Sequence, residues 1–340
     1  MASETKGTVV VALGANLGIA FAKSIGGVIT GSSSLLSEAA HSFADTFNEV
    51  FLLLSLKKGD KPADRTHPFG YGKERFFWSL LAAVGIFVSG AGFSLYQGIR
   101  ALVGRQPEPS TRDFTIVYVV LAVSLVLESG SLAKALTQVR RAAAQANRTA
   151  LDFVRSSPDP TVKTVASEDT VAVLGVGVAL VGTVLHQLTR NKLWDGLASL
   201  VIAGLLAYVA FVLGRDTKEL LIGESADPKV RLSAYDVLVS SEQVVAVKEL
   251  LTMQLGPAAI LVAARVEFDG DLLARELEQV CTELADEMRR RTPDISQVFL
   301  DPSRLEPGDV ERAQAAVART AAELRECARR PADQPAPSRW

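Results

Sequence analysis

Six stretches of apolar residues, each close to the roughly 20 that a helix needs to cross about 30 Å of hydrocarbon, lie at 8–29, 35–56, 76–103, 114–138, 164–188 and 194–213. The second and the fifth carry groups of ionisable residues where lipid would exclude them. The second contains His41, Asp45 and Glu49, and the fifth opens with Glu168 and Asp169. The pattern predicts an α-helical membrane protein, a six-helix transmembrane bundle built around a polar interior. Yet 22% of the 340 residues are charged, so a soluble portion must accompany the apolar one. A net charge of -2 offers nothing to a nucleic acid. Two cysteines, Cys281 and Cys327, are too few for a disulfide framework or a thiolate zinc cluster, and read as free thiols.

Basic residues set the expected orientation. Lys57, Lys58, Lys61, Arg65, Lys73 and Arg75 follow the second run, and Arg140, Arg141, Arg148, Arg155 and Lys163 follow the fourth; the alternate connections hold fewer. Both termini are therefore expected in the cytosol. The leader, residues 1–7, has a single lysine and no cleavage signal, and the lack of an arginine-rich presequence favours a prokaryotic plasma membrane. Small residues such as Gly14, Gly18, Gly85, Gly92, Gly175, Gly177 and Gly182 read as helix-packing positions.

Hydropathy falls from Glu224 onward. Periodicity predicts a helix over 228–240, strands over 244–253 and 258–268, a helix over 272–291 and a strand over 295–300, an αββαβ order suited to a small two-layer α+β domain. Residues 306–330 read as a polar helix, and 331–340, with three prolines, as disordered. The expected domains are a transmembrane part, 1–214, a cytosolic part, 215–305, and a tail, 306–340.

The second run carries the chemistry. His41 and Asp45 are four residues apart and share a helix face, Asn48 and Glu49 continue the stripe, and Glu38 extends it the other way. An imidazole beside a carboxylate suits zinc and tolerates other first-row divalent ions. Further ligands must come from another helix. Asp169 is the choice from the fifth run, with Glu168 either a fourth ligand or a charge at the cytosolic side, because neighbours on a helix diverge by about 100°. The apolar run starts only at Val171, which leaves Asp169 near the cytosolic face unless its helix begins around Pro160. Glu128 stands alone in the fourth run as a proton relay or a partner of Lys23, and Lys23 itself reads as a snorkelling or pairing residue. His186 reads as an interface residue.

These residues resemble the cation diffusion facilitators, in particular the zinc-transporter-9-like branch. The likeness runs from Gly31, Ser32 and Ser33 through the second-run motif around Glu38, His41 and Asp45 to the loop His67, Pro68, Phe69, Gly70, Tyr71, Gly72, Lys73 and Glu74, and on to Ser167, Glu168 and Asp169. It implies a homodimer in the lipid membrane, a ferredoxin-like cytosolic domain, and efflux of a divalent cation against protons: zinc foremost, with manganese, cobalt, iron and cadmium open. The cation is cargo, and no cofactor is implied. The family's ligand quartet maps onto His41, Asp45 and Asp169, but its remaining position is Val165, so the fourth ligand stays open among Glu168, Asn48, Glu49, Glu128 and water. A second ion site known in relatives maps onto Asp64 and His67, with Tyr71 at its other histidine position, and is expected to be weak or absent. The rival readings are a non-transporting dimer partner or metal-responsive scaffold, and an intramembrane metallohydrolase, for which no nucleophile motif is present.

Overall fold

A computed structural model describes residues 2–103, 111–145, 149–156, 159–303 and residue 322. It forms two compact units, Met1–Asp60 with Glu74–Lys218, and Lys61–Lys73 with the chain from Glu219 onward.

The first unit is helical. α1 (Ala2–Thr30) and α2 (Ser33–Gly59) form an antiparallel hairpin around Gly31, whose φ of 66° suits a residue without Cβ. Ser32 caps α2, its hydroxyl accepting from the Leu35 amide. A long helix follows in three pieces: α3 (Glu74–Gly85), a π-helical segment over Ile86–Gly92, and α4 (Phe93–Val103). The sequence pattern read this run as one regular helix. Its wider turn falls on a stretch with glycines at 90 and 92, where the backbone is least constrained by side chains. α5 (Thr111–Gln145), the short α6 (Ala150–Ser156), α7 (Pro160–Thr189) and α8 (Leu193–Ile222) complete the unit. α7 starts on Pro160, a residue suited to the first turn, so Glu168 and Asp169 lie well inside it. α8 outruns its expected end at Gly214, since no breaker intervenes before Gly223, at φ 119°.

Helices thus occupy all six apolar runs. Among the described residues, four stretches are long and apolar enough to cross a membrane: Glu74–Val103, Asp113–Gln145, Ser167–Thr189 and Leu193–Ile222. α2 is outside that group because its polar stripe dilutes its hydropathy. Leu35, Ile86, Leu121, Val176, Ile202 and Leu206 form the apolar centre. Of the expected packing glycines, Gly182 sits against Ala198, whereas Gly14, Gly18 and Gly177 have no neighbour within 4 Å for an added Cβ.

The second unit contains α9 (Pro228–Val239), β1 (Val244–Gly256), β2 (Ala259–Phe268), α10 (Ala274–Arg291) and β3 (Ile295–Pro302), the expected order. β1 and β2 pair antiparallel, and β2 and β3 parallel through the α10 crossover, giving the sheet order β1-β2-β3. Alternate residues of the central strand, Ile260, Val262, Ala264 and Val266, are buried against Val237, Leu238, Leu284 and Met288 of the helices. Each large apolar side chain so covered contributes roughly 1.5–3 kcal/mol. Cys281 on α10 is a free thiol, its pKa raised by partial burial; Cys327 and the expected tail, residue 322 apart, lie outside the described residues.

Residues 61–73 belong to this unit. Phe69 meets Phe299 edge to face at 6.5 Å, and Gly72 lies so close to the β1 end that an added Cβ would stand 2.9 Å from Gly256 Cα. Gly72→Ala is expected to push this loop off the sheet at a cost of about 1–3 kcal/mol; faster proteolytic cleavage between residues 61 and 73 in the variant is the check.

Candidate metal centre

At about 100° per residue, Asn48, His41, Asp45, Glu38, Glu49 and Ser42 fall in that order across an arc of roughly 120° on α2. The arc faces three helices. His41 is 1% exposed, and its Nδ1 lies 3.5 Å from Asp45 Oδ1. Neither ring nitrogen has a hydrogen-bond partner, nor has Asp45 Oδ1. On the same flank, the Asn48 amide donates to Glu168 Oε2 of α7 through a short hydrogen bond, and Asp45 and Glu168 are electrostatic neighbours. Asn48 Oδ1 and Glu168 Oε1 are also without partners. Buried polar atoms are rarely left unpaired, and their concentration on two facing helices makes this the candidate site.

It is Glu168 that meets α2, and Asp169 that meets α5, where Ser131 Oγ donates to its Oδ2 at 3.1 Å. The divergence of neighbouring helix positions separates the two acids, but with the opposite assignment to the one the sequence suggested. One face of α7 carries both Glu168 and, two turns on, Gly175, where any Cβ would collide with Glu38 Oε1. Gly175 thus lets α7 pass over a buried carboxylate. Among the described residues, no three His, Cys, Asp or Glu side chains converge tightly enough to hold an ion together.

The other flank of α2 faces α1. Asn16 donates to Glu49 Oε1 at 2.6 Å. Two turns further along α1, Lys23, fully buried and not snorkelling, donates to Glu38 Oε2 at 3.1 Å, Ser42 Oγ at 2.9 Å and Glu128 Oε1 at 3.4 Å. Glu128 is therefore tied to α1. His186 is buried edge-on to the Phe114 ring at 5.2 Å, a packing role.

Asp195, in the first turn of α8, clamps the start of α2. Its carboxylate accepts from the Ser33 and Ser34 amides and from the Ser32 and Ser34 hydroxyls. An acid at a helix N-terminus satisfies the free N–H groups and the helix dipole together. The sequence reading missed Asp195; three consecutive serines opening a helix, and an acid opening another, were its available signals.

In the loop, Asp64 is committed to structure. Its carboxylate accepts from the Thr66 and His67 amides and the Tyr71 hydroxyl, each at 2.8 Å, and the His67 and Tyr71 rings lie 4.2 Å apart, tilted by 40°. His67 Nδ1 stands 3.9 Å from Asp64 Oδ1. The His67 amide first, then the Tyr71 hydroxyl, holds the Asp64 carboxyl below the usual carboxylate range.

The model of the cation efflux transmembrane domain matches residues 9–222, the whole of the helical unit apart from its first residues. The chain belongs to the cation efflux family. Its relatives include the mitochondrial proton-coupled zinc antiporter SLC30A9 of Mus musculus, 35% identical over 82% of this chain and 49% of that protein. Metal tolerance protein C4 of Arabidopsis thaliana is 32% identical over 72% of this chain and 53% of its own length. The manganese efflux system protein MneP of Bacillus subtilis is 23% identical over 88% and 97%. The chain spans about half the length of the first two relatives. As a member of this family it is an integral membrane protein, and α2 with its polar stripe lies inside the matched domain.

Two outcomes follow from this geometry. Asp195→Ala removes four hydrogen bonds from the start of α2 and is expected to cost roughly 2 kcal/mol, the upper range for a helix cap, read as a lower unfolding temperature in detergent. Asp64 has a depressed folded pKa, so its contribution is complete above the ordinary aspartate value of about 3.9 and is lost as pH falls through the depressed one. Amide exchange at Thr66 and His67 is expected to be protected at neutral pH and unprotected at acid pH or in Asp64→Asn.

Proposed function

We propose that the chain exports a divalent transition-metal cation, zinc foremost, in exchange for protons by alternating access, with six membrane-crossing helices. The observation that carries this reading is the buried, unpartnered His41 and Asp45 pair facing Glu168 across α2 and α7, in a chain of the cation efflux family. His41, Asp45 and Glu168 are the ligands, Asp169 joins them by leaving Ser131 of α5, Asn48 and Glu49 are auxiliary, and Glu128 remains the relay candidate. Zinc needs a neutral imidazole and ionised carboxylates, whereas protons seek the same lone pairs, so loading one cargo releases the other. The open spacing of these groups suits a site that tightens when an ion arrives. The names of the mouse antiporter and the Bacillus efflux protein support zinc and leave manganese open. The αββαβ unit supports a ferredoxin-like domain, and with it a homodimer, in which both termini lie in the cytosol.

The expected prokaryotic plasma membrane does not fit the mitochondrial location in the mouse relative's name; the membrane is left unassigned. A scaffold or non-transporting dimer partner is the second reading, favoured by Val165 at a ligand position and by the lack of three converging ligands among the described residues. A transporter explains the stripe better than a hydrolase, for which the sequence carries no HExxH or nucleophile motif.

Purified protein in vesicles, tested with zinc, manganese, cobalt, iron and cadmium against a pH gradient, decides between these. Zinc uptake with proton counterflow is expected. Asp45→Ala should lower it by more than the roughly 10–100-fold that loss of an outer ligand partner costs. A folded wild type that moves no metal, or an Asp45→Ala variant with unchanged exchange, overturns the proposal.

A further inference from the structure

Lys23 is fully buried in the helical unit, and its ammonium is surrounded by oxygen. Glu38 Oε2, Ser42 Oγ and Glu128 Oε1 approach it from α2 and α5 at 3.1, 2.9 and 3.4 Å. A simple ion pair needs one carboxylate. Here two converge on one monovalent cation, leaving the cluster with one negative charge in excess when all three groups are ionised. Glu38, 0% exposed, keeps its second oxygen, Oε1, without a partner. α7 approaches that oxygen only because residue 175 is a glycine. Two carboxylates, one of them with an unpartnered oxygen, and a hydroxyl form the donor set of a hard divalent ion, and a charge of +2 would balance the pair.

We propose that Glu38, Glu128 and Ser42 form a second cation position, all-oxygen in its ligands, which the Lys23 ammonium occupies and so closes to hard divalent ions such as Mn2+. The position lies one turn along α2 from His41, on the opposite flank of the polar stripe. Closing it leaves the nitrogen-containing group as the place where a cation binds, which makes Lys23 a specificity-determining residue. That last consequence rests on the transport reading; the site itself does not. A metal ion is smaller than an ammonium. Oxygens would have to draw in by roughly an ångström to reach the 2.0–2.6 Å of Mg2+ or Ca2+ coordination, a shift within the reach of a glutamate side chain.

The test is a count of bound Mn2+ per chain by electron paramagnetic resonance on purified full-length protein in detergent. Lys23→Met is expected to bind one more Mn2+ than the wild type; Lys23→Arg and the double variant Lys23→Met with Glu38→Gln are expected to bind the wild-type number. Equal counts in folded Lys23→Met and wild type overturn the proposal. Should Lys23→Met not fold, rescue of its folding by Mn2+ supports the site. Rescue by Glu38→Gln but not by Mn2+ makes Lys23 a structural counter-ion and overturns it. Repeating the comparison in a His41→Ala background separates the two readings, because the extra ion is expected to persist there whether or not the wild type transports zinc.

Discussion

Dehydrating a charged or polar side chain inside a helical bundle costs several kcal/mol unless a neighbour takes the place of water. α2 brings Glu38, His41, Ser42, Asp45, Asn48 and Glu49 into the bundle on one helix, and the arrangement of the helices around it follows from meeting that need. α1 places Asn16 and Lys23 two turns apart, opposite Glu49 and Glu38. α7 supplies Glu168 to Asn48 and a glycine where Glu38 requires room. α5 joins through Glu128, and holds Asp169 by way of Ser131. These contacts leave atoms of Glu38, His41, Asp45, Asn48, Glu49 and Glu168 without partners, with both ring nitrogens of His41 among them, and it is on this residue that the proposed cation group is centred.

Such a stripe functions only if α2 is held in register with its neighbours. Asp195 does this at one end by gripping the first amides of α2 from α8, with Ser32 as the local cap. At the other end the contacts are softer: the Lys58 ammonium rests over the Trp78 ring at 4.8 Å, and Arg75 reaches Asp60 at 3.4 Å. The π-helical turn of Ile86–Gly92 runs beside the middle of α2, with Gly90 facing Ala44. Regular hydrogen bonding is thus interrupted next to the polar stripe and intact where α2 is clamped.

Much of this was legible in the sequence. Apolar runs of spanning length placed the six helices, alternation placed the three strands, and His41 with Asp45 stood out because a spacing of four puts them on one face in a place hostile to charge. What was not legible depended on contacts distant in sequence. Which of Glu168 and Asp169 turns to α2 is set by the rotation of α7, and that is fixed by packing and not by local pattern. The start of α7 at Pro160 hung on a proline that reads equally as a turn. Asp64 and His67 came into view only through the family resemblance, as a site expected to be weak or absent, and the staple in which the Tyr71 hydroxyl and two amides engage the Asp64 carboxylate was not legible. The π turn and the Asp195 clamp left only weak traces, two glycines and a row of serines.

The two flanks of the stripe differ in chemistry as well as in partners. Toward α7 lie an imidazole, an amide and a carboxylate, a set containing nitrogen; toward α1 and α5 lie oxygens only, gathered on a lysine. Asp45 sits near the middle of the arc, within electrostatic range of Glu168 on one side and of Glu128 and Lys23 on the other. Because both flanks belong to one rigid helix, a rotation of α2 that brings Asp45 and His41 closer to α7 must also draw Glu38 and Ser42 away from Lys23. On the proposed reading, cation binding at the nitrogen-containing flank and the integrity of the lysine cluster would be linked through the helical period of α2 alone.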